Sequence, residues 1–114
     1  MLLLNRMAIV VIAKQPFLDW LHSLDPTSQD LTLNDLNEEP TVYLLPEVDG
    51  DDEAAACVRR YCKEIVANEL DGWWRERSDW PQSVTAGLFN RWFEWRYHSV
   101  ILDLATRPLL RETV

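Results

Sequence analysis

The apolar positions fall into blocks with two different periods. Met7-Ala8-Ile9-Val10-Val11-Ile12-Ala13 is unbroken and largely β-branched, which predicts a central strand buried on both faces. Pro16 follows at a position suited to a helix start, and Phe17, Trp20, Leu21 and Leu24 repeat at the i, i+3, i+4, i+7 spacing of one helical face. Asp25-Pro26 ends that helix, because a residue before proline avoids the α region. Thr32 and Asp35 cap a short turn around Leu33 and Leu36. Thr41-Val42-Tyr43-Leu44-Leu45 reads as an edge strand stopped by Pro46.

An acidic loop, Glu47 to Glu53, leads into a helix predicted over about residues 52–71 and closed by Gly72. Ala54, Val58, Tyr61, Cys62 and Ile65 line its apolar face. The connector Trp73 to Pro81 is rich in tryptophan and charge. Thr85 opens a further helix predicted to run to Trp95, with Leu88, Phe89, Trp92 and Trp95 as its stripe. Tyr97 to Leu104 alternates as a third strand, with His98, Val100, Leu102 and Leu104 on its wholly apolar side, and a polar tail follows Arg107-Pro108. The order β-α-β-α-α-β predicts an α+β or small α/β domain, residues 1–114, with a three-stranded sheet covered by helices through crossover connections.

Composition narrows the function classes. A chain of 114 residues with 47% hydrophobic and 26% charged residues forms one folded domain. The net charge of -8 disfavours nucleic acid, whose binding rests on neutralising phosphates. Residues 1–56 carry two basic against eleven acidic side chains, residues 57–114 nine against eight, so the acidity is one-sided and suits basic partners or plain solubility better than anionic ligands. The apolar run at the start stops at Asn5 without a preceding basic segment, and no run approaches the ~20 residues of a membrane span. A cytoplasmic protein that does not engage membranes is the expectation.

Candidate chemistry is sparse. Cys57 and Cys62 sit about 140° apart on a helix and cannot share a metal. Cys62 shares the apolar face and Cys57 lies outside it, so Cys57 is expected to be the more reactive thiol. Three glycines leave no phosphate-cradling loop, and no cofactor, metal or nucleophile motif is present. Glu69 falls on the apolar helix face, where a carboxylate needs a partner such as Arg91, Arg96 or a tryptophan N–H, or else takes a raised pKa. His98 is the second weak catalytic candidate. Strand alternation places it opposite Ser99 and Asp103, so these three form no relay.

Five of the six tryptophans lie between positions 73 and 95, interleaved with Arg75, Arg77, Arg91 and Arg96. Tryptophan and arginine are the residue types of binding hot spots, although the same rings also serve to fill a small core. Neighbouring Trp73 and Trp74 cannot both face one core. The wheel angle of Trp73, close to that of Cys62, predicts that Trp73 turns inward and Trp74 stays exposed. The expected binding set is Trp74, Arg75, Arg77 and Trp80.

The strings Ile12-Ala13-Lys14-Gln15-Pro16-Phe17-Leu18-Asp19-Trp20, Leu70-Asp71-Gly72-Trp73 and Arg91-Trp92-Phe93-Glu94-Trp95-Arg96-Tyr97-His98-Ser99, with Asp103-Leu104, resemble a group of small hypothetical bacterial proteins. The resemblance covers most of the chain and implies a bacterial, cytoplasmic setting but no activity. The expectation from the residues is a non-catalytic interaction or regulatory module that binds a protein partner, or self-associates, through the Trp/Arg connector and an acidic face. The alternative is a small enzyme with a Glu69/His98 pocket for an anionic small molecule.

Overall fold

The computed structural model describes residues 1–114 and is an α+β fold. A three-stranded antiparallel sheet has the order β3-β2-β4, where β2 is Arg6–Ala13, β3 Val42–Pro46 and β4 Phe93–His98. Four helices accompany it: α1 (Gln15–Leu24), α2 (Leu33–Leu36), α3 (Asp51–Trp73) and α4 (Ala86–Trp92). A two-stranded antiparallel ribbon of β1 (Leu2–Leu3) and β5 (Leu102–Asp103) continues outward from the sheet.

Strand β2 is central and β3 lies at an edge, as the unbroken apolar run and the Pro46 stop require. The sheet, however, is covered on one face only. Met7, Ile9, Val11 and Ala13 are buried in the core, while on the alternate face only the small Ala8 is buried and Val10 and Ile12 stay half-buried. The expectation of burial on both faces is therefore corrected. The connections are also not parallel crossovers, since every pairing is antiparallel, and an antiparallel sheet tolerates one open face.

Helix α3 supplies the cover. Its buried residues Ala54, Cys57, Val58, Cys62, Ile65, Val66 and Leu70 fall on an unbroken i, i+3, i+4 stripe that Tyr61 and Glu69 complete at half-burial. Cys57 is the second position of that stripe, so it is as buried as Cys62 and the expected difference between the two thiols is overturned. Gly50 precedes the helix with φ +91°, a backbone that favours glycine, and Asp51, Asp52 and Glu53 occupy its first turn. The helix passes through Gly72 instead of ending there, because Gly72 does not take the left-handed conformation of a helix stop.

The last third of the chain is divided differently from the periodicity reading. Helix α4, capped by the Thr85 side chain accepting from the Leu88 N–H, ends at Trp92, three residues earlier than predicted. Phe93 to His98 then alternates strictly, with Phe93 buried, Trp95 and Tyr97 half-buried, and Glu94, Arg96 and His98 exposed. Period two overrides the helical spacing of Leu88, Phe89, Trp92 and Trp95. Phe17 is the hub of the aromatic packing, 5.0 Å edge-to-face from Phe93 and 5.8 Å from Trp92, which itself lies 5.3 Å from Trp20.

Two polar devices close the local structure. Thr32 and Asp35 form a reciprocal capping box on α2. Asn37, just beyond α2, accepts from the Ala13 N–H at 2.7 Å and donates to the Ala13 carbonyl at 3.0 Å. The Asn37 amide thus takes the place of a paired strand at the end of β2, past the last β3 pairing at Val10–Val42. His22, expected to be solvated, is half-buried and contacts the Leu31 carbonyl through Nε2 at 2.9 Å.

Two measurements check this fold. Replacing Asn37 by alanine removes both bonds to Ala13 and is expected to cost about 1–3 kcal/mol in urea denaturation. Cys57 and Cys62 are both expected to resist a thiol reagent in the native protein and to label together on unfolding, which mass spectrometry of partially labelled protein reads directly.

Candidate functional site

Strand β3 begins at Val42, so beyond Val10 that side of β2 has no strand beside it until Asn37 takes over. A cavity of about 260 Å³ occupies this gap, with Pro40 and Thr41 on one wall and the last two turns of α3 on the other. Three carboxyl side chains border it, Glu39, Glu69 and Asp71, together with Trp73.

The gap explains which tryptophan is exposed. Trp73 is the final residue of α3 and is angled toward the sheet, but no strand lies there to receive it, and it remains 42% exposed. Trp74 is the first extended residue, φ -149° and ψ 106°, and its ring folds back against the core margin. The predicted orientation of the pair is thus inverted. The Trp74 indole donates to Asp79 at 3.0 Å, and the Trp80 indole donates to the Trp74 carbonyl at 2.7 Å. The Arg77 guanidinium stacks 4.9 Å above the Trp80 ring. Glu76 accepts from the Ser78 hydroxyl at 2.8 Å, closing the short turn Arg77–Asp79. Of the expected binding set, Trp74, Arg77 and Trp80 therefore hold the connector together, and Arg75 is left in solvent.

Glu69 is half-buried on the helix face, but its partner is neither an arginine nor a tryptophan. The Tyr43 hydroxyl donates to Glu69 Oε2 at 2.5 Å, and the Asn68 amide donates to the same hydroxyl at 2.9 Å. Burial pushes the Glu69 carboxyl above the ordinary glutamate value, and the Tyr43 bond opposes that shift. Burial first, and then the hydrogen bond to Glu69, raises the Tyr43 phenol. A tyrosine within the otherwise aliphatic strand Val42-Tyr43-Leu44-Leu45 and a glutamate on an apolar helix face are the two misfits that signal this pair in the sequence. Arg96 lies 3.8 Å from Glu94 on the exposed side of β4.

His98 does not join Glu69. It pairs with Ala8 on the open face of β4, whereas Tyr43 and Glu69 lie on the helix-covered face at the opposite edge. The sheet separates the two candidates, and a shared Glu69/His98 pocket does not form. The apolar side of the last strand, Val100, Leu102 and Leu104, faces solvent rather than a core. No three His, Cys, Asp or Glu side chains converge as a metal-binding group would. No helix is long and apolar enough to cross a membrane. Comparison with protein-family models, with curated proteins and with solved structures returns no match.

The Tyr43–Glu69 pair gives a signed pH dependence. A carboxyl with a raised pKa holds its proton more tightly in the folded chain, so its contribution to stability declines as pH rises from 4.5 through the higher folded value. Glu69→Gln is expected to remove that slope from urea midpoints measured over pH 4 to 8. Tyr43→Phe takes away the donor that opposes the shift, so carboxyl-carbon NMR titration is expected to find Glu69 titrating at a still higher pH.

Proposed function

We propose that the protein is a non-catalytic interaction module that receives a basic side chain of a protein partner in the cavity beside Trp73. The observation that carries this reading is the exposed Trp73 ring at the rim of a cleft bordered by Glu39, Glu69 and Asp71. A lysine or arginine gains from the face of an indole and from carboxylates around it, and a cleft that excludes part of the water strengthens both terms. The net charge of -8 supports the same choice of partner, since an acidic protein attracts basic surfaces. The folded connector supports it as well: Trp74, Trp80 and Arg77 brace one another and hold the end of α3 in place. A rigid aromatic anchor loses little entropy on binding.

The roles of the two adjacent tryptophans separate in one experiment. Short peptides centred on arginine, lysine or norleucine are titrated while the Trp73 indole N–H is followed by NMR. The two basic peptides are expected to shift it and norleucine to leave it unmoved. Trp73→Ala is expected to abolish the response while changing stability by less than about 1 kcal/mol. Trp74→Ala is expected to cost about 1–3 kcal/mol through lost packing and the lost Asp79 bond. Equal binding of the norleucine peptide, or unchanged binding by the Trp73 variant, defeats the proposal.

A further inference from the structure

Apart from Trp73, every exposed large apolar residue of the chain lies on strand β3, on the β1–β5 ribbon with its connecting loop, or on the closing segment 104–114. Val42 and Leu44 of β3 are 58% and 52% exposed. Leu109 and Leu110, in the segment expected to be a polar tail, are exposed too, Leu110 to 93%. Soluble proteins guard an edge strand with charge, a bulge or a covering element. Strand β3 carries no charged residue, and its only guard is Pro46 at one end. No backbone hydrogen bond reaches residues 42–46 from outside the sheet.

Beside this free edge runs a groove of about 760 Å³ between β3 and α3, walled by Tyr43, Leu44 and Leu45 on one side and Tyr61 and Ile65 on the other. An edge strand facing a helix across a groove is the geometry that accepts an added strand. Glu47 and Glu64 stand along the groove, with Arg6 at one end. In the closing segment Arg107 and Arg111 flank Leu109 and Leu110, with Glu112 following, so the basic side chains stand beside the apolar pair that would meet the groove acids. The whole segment is exposed, and it belongs to no helix or sheet. Pro108, which lacks an N–H, stands just before the exposed stretch Leu109–Val114.

We infer that the chain forms a symmetric dimer in which residues 109–114 of each copy add as a strand to the free edge of β3 in the other. This inference concerns a surface separate from the Trp73 cleft and stands independently of the reading above. The second copy is favoured over the chain's own groove by the ribbon. β5 pairs with β1 outside the three-stranded sheet, and the molecule is elongated, 48 × 30 × 25 Å with a radius of gyration of 15.8 Å. A compact chain of this length has a radius of about 13 Å. Two-residue strands do not hold a ribbon in water unaided, and exchange covers the ribbon and both grooves at once. Ribbon, edge strand and closing segment together offer on the order of 25 residues per copy, which matches a standard interface of about 20–30 residues a side. The two-fold operation makes the contact self-complementary and closed.

Two charge-reversed forms of the full chain test this. One carries Glu47→Arg with Glu64→Arg, the other Arg107→Glu with Arg111→Glu. All four positions are exposed, and thermal melts check that each form is folded. Sedimentation equilibrium is expected to find the unaltered chain dimeric and each reversed form dissociating with a Kd at least tenfold weaker. An equimolar mixture of the two is expected to restore a dimer, because each groove then meets a segment of opposite charge. A monomeric unaltered chain overturns the inference. So does a dimer that both reversals leave intact, or a mixture that fails to reassociate, the outcome if each segment docks in its own groove.

Discussion

The stripe of α3 against alternate residues of β2 is the contact on which the molecule depends. Met7, Ile9, Val11 and Ala13 offer one flat apolar row, and Ala54 to Leu70 cover it. Every other cover is short: α1 has ten residues, α2 four and α4 seven. The chain therefore has helix enough for one face of the sheet and none for the other. The open face, the unguarded edge of β3 and the outward-facing ribbon follow from that shortage. So does the cavity at Trp73, which opens beyond Val42, the first residue of β3, beside the last turns of α3.

Much of this was legible in the residues. The central strand, the edge strand, the Thr32 and Thr85 caps and the Asp25-Pro26 stop each rest on local chemistry that tertiary packing did not override. Three readings failed for identifiable reasons. Cys57 lies on the buried face because that face is wider than the Ala54, Val58, Cys62 and Ile65 row, and Ala54, Cys57 and Val58 already fit i, i+3, i+4. Trp95 completes a helical spacing with Leu88, Phe89 and Trp92, and only the alternation from Phe93 onward assigns it to a strand. The inward face of Trp73 was judged from angle alone. Angle says where a side chain points, and the end of β3 says whether anything is there to meet it.

The candidate site was legible in part. Glu69 stood out because a carboxylate on an apolar face must have a partner, but nothing in the spacing identified Tyr43, 26 positions earlier, as that partner. His98 was misjudged for the reverse reason. A wholly apolar strand side was read as core, and in a sheet with one cover the side away from α3 remains in water. Hydrophobic alternation identifies the two faces of a strand. It does not reveal which face lacks a cover.

The register of β2 has a consequence for how the chain matures. Its two neighbours are far away in sequence and unequally so: Ala8 pairs with Leu44 on one side and with His98 on the other. During synthesis the β2–β3 pair can form once residues through Pro46 have emerged, well before β4 follows. Until then the central strand is itself an edge, with Ile9 and Val11 lacking both β4 and the Phe17–Phe93 contact. Closing a loop of some ninety residues is slow relative to local helix formation. The nascent chain therefore passes through a stage in which its central apolar strand has one side unpaired.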